Sequence, residues 1–170
     1  NIIIADPEDI EISNLARQEF TFDQLGKNKA EMTTQNIQAI NPRTIKSIKS
    51  ISKGITAENV EALVAEADIV VDGIDIRSSD MTWLLHKYAC FYKKPVIVGY
   101  DLAGTALLTI FRYDQKRIKP LKGNVSEETI LTFQRIKKAY QNGDISEAQF
   151  LNYVYQVLTG PINPFLVPIE

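Results

Sequence analysis

The stretch ADIVVDGID, residues 67–75, is where the fold of this chain reads most directly. Ile69, Val70 and Val71 make a short apolar run between Asp68 and Asp72. A run of that length, continuous rather than alternating, is the pattern of a buried strand in a parallel sheet covered by helices. Asp72 and Asp75 stand where such a strand ends. In a doubly wound sheet ligands sit beyond the carboxyl ends of the strands, so acids placed there are candidates for chemistry.

Working outward, the same pattern recurs. Ile2–Ala5 is another short apolar run and ends in Asp6. Residues 6–25 are polar, irregular and acid-biased. From about Asn28 to Ile40, Ala30, Ile37 and Ile40 suggest a helix, which Asn41-Pro42 ends. Isoleucine at every third position of Thr44–Ser52 leaves helix and strand in competition, and the following context selects strand. Thr56 can cap a helix bearing Val60, Leu63 and Val64. After residue 75 a long helix from about Ser79 to Tyr92 leads to strands at Val96–Val98 and Ala106–Phe111. Strands alternating with helices predict an α/β, Rossmann-like, mostly parallel sheet with flanking helices.

The character changes after Tyr113. Residues 114–125 form a basic connection containing Pro and Gly, and residues 126–158 read as a helical hairpin broken at Asn142-Gly143. Ile130, Phe133, Ile136 and Ala139 form one apolar stripe, and Phe150, Val154, Val157 and Leu158 form the other. The tail, with Pro161, Pro164 and Pro168, reads as extended. The expected organisation is a nucleotide-binding domain over 1–113, then a linker, hairpin and tail over 114–170.

Composition narrows the function. A net charge of −2 argues against non-specific binding to nucleic acid or an anionic membrane. No apolar run approaches the roughly 20 residues that cross a bilayer. One cysteine excludes an internal disulfide and a thiolate-clustered zinc site, and a reducing, cytoplasmic setting is expected. Asn1 runs straight into an apolar strand, so a further N-terminal strand and helix are expected upstream. An acid ending the second strand of a nucleotide-binding unit holds ribose hydroxyls, the role Asp6 fits, and its glycine-rich turn would lie about 20 residues earlier.

The segment EISNLARQEF, residues 11–20, places Asn14, Arg17 and Gln18 just after Asp6. SNLARQ, then GKNKA (26–30), INP (40–42) and ADIVVDGID occur in one order and spacing. Together they resemble the ThiF/MoeB/HesA family of ubiquitin-activating-enzyme-like adenylyltransferases over roughly residues 1–113. The resemblance implies a Rossmann-like domain that binds ATP and Mg²⁺, and a homodimer. It further implies adenylation of the C-terminal glycine of a ubiquitin-like or sulfur-carrier protein, with release of pyrophosphate. By the same resemblance Asn14, Arg17, Gln18 and Lys29 surround the phosphates and Asp75 holds the magnesium. Lys29 ranks above Lys27 because the family lysine directly precedes the position of Ala30.

The chemistry suits those residue types. A carboxylate approaching an α-phosphate is an anion meeting an anion, so fixed cations must offset the repulsion and stabilise charge on the departing pyrophosphate. Arg17 offers a planar bidentate fork, and Lys29 a point charge near a helix start. Simpler readings stand beside these. Arg17 could pair with Glu19 or Asp23 at the surface, Lys29 could be a solvated helix lysine, and Asp72 and Asp75 could cap the next turn. Cys90, Trp83 and Leu84 read as core residues, His86 as packing, and GYDLAG (99–104) as a substrate-facing loop or a plain connection.

Departures from the family pattern bear on function. The glycine turn, the upstream segment that lends an arginine across family dimers, the paired CxxC zinc motifs and the later nucleophilic cysteine lie nowhere in this sequence. Ile76 stands where many active members have asparagine. Three functions are therefore weighed: an ATP-dependent adenylyltransferase, a non-catalytic scaffold or heterodimer subunit of the same fold, and an NAD-binding Rossmann protein, against which SNLARQ argues.

Overall fold

The computed structural model describes residues 1–42, 47–102, 105–123 and 125–158, without the side chains of 100–102, 105, 155, 157 and 158. The chain divides into two compact units, Asn1–Asn59 and Val60–Glu170. In the first unit β1 (Ile2–Ala5) pairs in parallel with β2 (Ile48–Ile51), Ile2 opposite Ile48 and Ala5 opposite Ile51. Parallel neighbours require a crossover, and α1 (Lys29–Ile40) supplies it. Ala30 and Met32 of α1 are buried with Ile10. The long segment between β1 and α1 is closed by main-chain bonds from Ile10 N to Lys27 O and Gly26 N to Ile10 O, each 2.9 Å. Ile48–Ile51 is the strand expected there, while residues 43–46 lie outside the described ones.

In the second unit the sheet order is β3 (Val70–Asp72), β4 (Val96–Leu102), β5 (Thr105–Phe111). β3 and β4 are parallel, linked through α3 (Ser79–Phe91), but β4 and β5 are antiparallel. The last strand therefore returns directly instead of crossing over. Leu85 and Ala89 of α3, Val60 and Val64 of α2 (Val60–Glu66), and Val96, Val98 and Phe111 are core residues. The hairpin forms: α4 (Glu127–Gln141) and α5 (Glu147–Leu158) bury Phe133 against Phe150 and Val154, with Ile136 and Tyr140 beside them, while the side chains of Val157 and Leu158 lie outside the described ones. Gly143 turns between the helices at φ +79°, a conformation glycine adopts without steric cost. Phe133 and Phe150 rings lie 6.3 Å apart.

Several local expectations need correction. α2 begins at Val60, not after Thr56, because Asn59 Oδ1 accepts from Thr56 N at 2.7 Å and forms a separate turn ahead of the helix. β3 is not buried on both faces: Val70 and Asp72 are buried, whereas Val71 is 73% exposed. Trp83 and Leu84 are only partly buried, since the inward face of α3 is carried by Leu85, His86 and Ala89. Residues 99–102 belong to β4, so the first part of GYDLAG is strand, and residues 103 and 104 lie outside the described ones, as does the tail from 159.

Candidate nucleotide site

The polar segment after β1 is an ordered pair of tight turns, which explains its lack of periodicity. In the first turn, at Ile12–Asn14, Asn14 is buried and its Oδ1 accepts from Glu11 N at 2.9 Å. The Asn14 carbonyl then accepts from Arg17 N (3.0 Å) and Gln18 N (2.8 Å), fixing the backbone that carries both side chains. The second turn, Phe22–Gln24, is tied to α1: Gln24 Nε2 donates to Asn36 Oδ1 at 2.8 Å, and Asn36 Nδ2 donates to Glu19 O at 3.1 Å.

α1 starts where Asn28 caps it, Oδ1 accepting from Glu31 N at 3.2 Å. The Asn28 Nδ2 group donates to Asp6 O (3.0 Å) and Glu8 O (3.2 Å), so one amide both opens the helix and holds the end of β1 beside it. From Lys29, positions three and four apart share a helix face, which puts Thr33, Asn36, Ile37 and Ile40 in line behind the lysine. That face and the Gln18–Phe20 segment wall an open cavity of about 400 Å³. Its polar lining includes Asp6, Gln18, Glu19 and Lys29, and its apolar lining Phe20, Ile37 and Ile40.

The structure thus brings Asp6, Gln18 and Lys29 to one cavity of the first unit. Lys29 is buried and its Nζ is ion-paired with Glu8, so it is no solvated helix lysine. Arg17 is exposed next to the cavity wall at Gln18; among the described residues no carboxylate is paired with it. Asp23, one suggested partner, is occupied locally: the Thr21 hydroxyl, then its own backbone N–H, hold its carboxyl below the usual range. Asn14 is absent from the cavity lining and serves the turn instead. Asn28, Glu8, Gln24 and Asn36 escaped the sequence reading; only Asn28, a cap residue directly before Lys29, carried a signal there.

Asp75 belongs to the second unit, where it is exposed and caps the turn Ile76–Ser78, with Oδ1 accepting from Arg77 N at 2.8 Å. Arg77 Nη2 in turn donates to Glu147 Oε1 at 2.8 Å. Asp72 is buried and its Oδ1 accepts from Ile74 N at 3.0 Å. Both acids therefore perform the turn-capping role that was their simpler reading, which leaves further oxygens for other partners. Among the described residues no three His, Cys, Asp or Glu side chains converge as a protein metal cage would. Magnesium is commonly held by one or two carboxylates together with substrate phosphates, so Asp75 alone makes no metal site and would need phosphate oxygens to complete one. Cys90 is half-buried, its Sγ 3.2 Å from Ile118 O, and burial pushes its thiol up from the ordinary value.

Parallel strand pairs flanked by helices, with a polar cavity beside a strand end, place the chain in the class of Rossmann-like α/β folds. Residues 1–162 match the ThiF family, and the chain belongs to it. It is 31% identical over 75 residues to the sulfur carrier protein ThiS adenylyltransferase of Escherichia coli (strain K12), covering 44% of this chain and 29% of that protein. It is 28% identical over 118 residues to the uncharacterized protein MT1398 of Mycobacterium tuberculosis (strain CDC 1551 / Oshkosh), covering 69% of this chain and 16% of that one. In structure it resembles E. coli MccB crystallised with MccA-N7isoASN, at a TM-score of 0.54 and 25% identity, covering 82% of this chain and 42% of MccB. The chain thus spans less than half the length of each of these proteins.

Proposed function

We propose that this chain is the nucleotide-binding part of an ATP-dependent adenylyltransferase that activates the C-terminal carboxylate of a ubiquitin-like or sulfur-carrier protein. The observation that carries the reading is the convergence of Asp6, Gln18 and Lys29 on one cavity in a chain of the ThiF family. In the reaction a carrier carboxylate oxygen bonds to the α-phosphorus, the bond from that phosphorus to the bridging oxygen breaks, and pyrophosphate leaves. Asp6 accepts hydrogen bonds from the ribose hydroxyls. Lys29 and Arg17 place fixed positive charge where the phosphates gain negative charge, and Lys29 exchanges Glu8 for a phosphate oxygen to do so. Asp75 would hold Mg²⁺, which, when bound, neutralises charge on the phosphates. A homodimer and a cytoplasmic setting belong to the same proposal; among the described residues no helix is long and apolar enough to cross a membrane.

One observation favours a second reading. Ile76 is 52% exposed beside Asp75, where many active members of the family carry asparagine, and this suits a non-catalytic scaffold or heterodimer half. ATP–pyrophosphate exchange on the full-length protein with candidate carriers separates the two. Exchange that Arg17→Ala and Asp75→Ala each strongly lower supports the enzyme. No nucleotide binding at millimolar ATP supports the scaffold.

A further inference from the structure

A buried polar chain in the second unit lies outside the roles assigned so far. His86, the only histidine of the sequence, has no solvent exposure and its Nδ1 lies 2.8 Å from Tyr113 Oη. Tyr113 Oη also accepts from Leu121 N at 3.0 Å. On the other edge of the imidazole, Nε2 stands 3.3 Å from Asp72 Oδ2, and the other oxygen of Asp72 caps Ile74 N. Asp72, Tyr113 and Leu121 are all less than 5% exposed. Phe111 closes the site, its ring 4.7 Å from that of His86 in an edge-on arrangement.

One arrangement of donors and acceptors suits the contacts of the phenol and the imidazole. The phenol oxygen already accepts the Leu121 N–H, so its own proton is best given to Nδ1. Nδ1 then carries no hydrogen, and the imidazole proton sits on Nε2, 3.3 Å from Asp72 Oδ2 but off the line of a hydrogen bond to it. A buried carboxylate is costly, and the Nε2–H dipole beside Oδ2 adds to the Ile74 N–H on Oδ1 in favouring this rotamer of Asp72. Asp72 in turn fixes Ile74 N, two residues along the turn that presents Asp75.

We propose that His86, as its Nε2–H tautomer, is a positioning residue that couples Tyr113 and the Leu121 backbone to the Asp72 carboxylate and thereby sets the Asp72–Asp75 turn. The functional part of this inference rests on the proposed role of Asp75; the tautomer and the coupling do not. A periodic helix reading could not have shown it, because His86 joins groups 14 residues before it and 27 and 35 residues after it.

With one histidine, ¹⁵N-labelled full-length protein gives a single imidazole pattern in long-range ¹H–¹⁵N spectra. The expected result is a protonated Nε2 and a bare Nδ1, with Tyr113→Phe perturbing that pattern and also shifting the backbone amides of Ile74 and Arg77. A proton on Nδ1, or Ile74 and Arg77 amides that ignore Tyr113→Phe, overturns the proposal. Should Tyr113→Phe fail to fold, His86→Gln replaces it, with the same two amides as the readout. In ATP–pyrophosphate exchange, either variant should raise the Mg²⁺ concentration for half-maximal rate about 10- to 100-fold while leaving the KM for the carrier unchanged. An equal rise in both constants would mark a merely structural role. Wild-type protein with the expected tautomer but no exchange would sink the enzymatic reading alone.

Discussion

At the scale of single residues, the question is which side chains near the cavity are committed and which are available. Lys29 is committed to Glu8 and buried, whereas Arg17 is exposed and without a carboxylate partner among the described residues. If the adenylyltransferase reading is right, Arg17→Ala should lower exchange about 100-fold, within the range for losing a preorganised donor to developing charge. Arg17→Lys should recover little, because an ammonium lacks the bidentate fork. Full activity in Arg17→Ala would remove this arginine from the chemistry. Cys90 makes a second residue-scale prediction. Burial raises its folded-state pKa above the ordinary thiol value, so the folded state retains a proton that the unfolded chain loses. The corresponding stability is full below the unfolded pKa and weakens as pH rises through it toward the folded one. Alkylation at pH 8 should accordingly be slower than for a free thiol and should speed up on addition of denaturant. A rate equal to that of a small-molecule thiol would contradict the burial.

At the scale of elements, the sequence identified what short-range patterning encodes. The strands at β1 and β3, a helix from about Asn28 and, among the described side chains, the Phe133 and Phe150–Val154 stripes of the C-terminal hairpin were legible, because periodicity is local. What escaped depends on partners distant in sequence. The antiparallel return of β5 is a choice of pairing that no strand announces by itself, and the exposure of Val71 reflects which face of β3 is covered. The Gln24–Asn36–Glu19 chain joins two turns to a helix through ordinary surface-type amides, whereas Arg17 and Lys29 were found only because several motifs stood in register. One close approach was equally invisible. Gly54 follows β2 at φ +67°, and a Cβ there would lie 2.7 Å from Pro7 Cδ. Gly54→Ala should therefore destabilise the first unit by more than about 1 kcal/mol, through both the left-handed backbone and the clash. In the hairpin, Phe150→Ala should cost about 3–5 kcal/mol, since Phe150 is 2% exposed against Phe133. Urea unfolding measures both, and an unchanged midpoint for either variant would show that its packing is wrongly described.

At the scale of the whole molecule, two compact units allow ligand binding to be located by stability alone. The cavity is built entirely from residues of Asn1–Asn59, and the buried His86 chain entirely from Val60–Glu170. A ligand that binds only the folded state stabilises it by RT ln(1 + [L]/Kd), about 2.7 kcal/mol at a hundredfold excess over Kd. For a chain of 170 residues, 1 kcal/mol corresponds to a shift of about 2–4 °C, so saturating ATP should raise the transition that includes the first unit by about 5–10 °C. Asp6→Ala should reduce that shift by removing an acceptor from the cavity, and Gly54→Ala should lower the starting temperature while preserving the shift. Calorimetry of the intact protein with and without ATP reads all three. A shift of the same size in Asp6→Ala would move the nucleotide out of this cavity. A shift in wild type that is also seen with inorganic phosphate alone would show that Lys29 and its neighbours hold an anion without recognising a nucleoside.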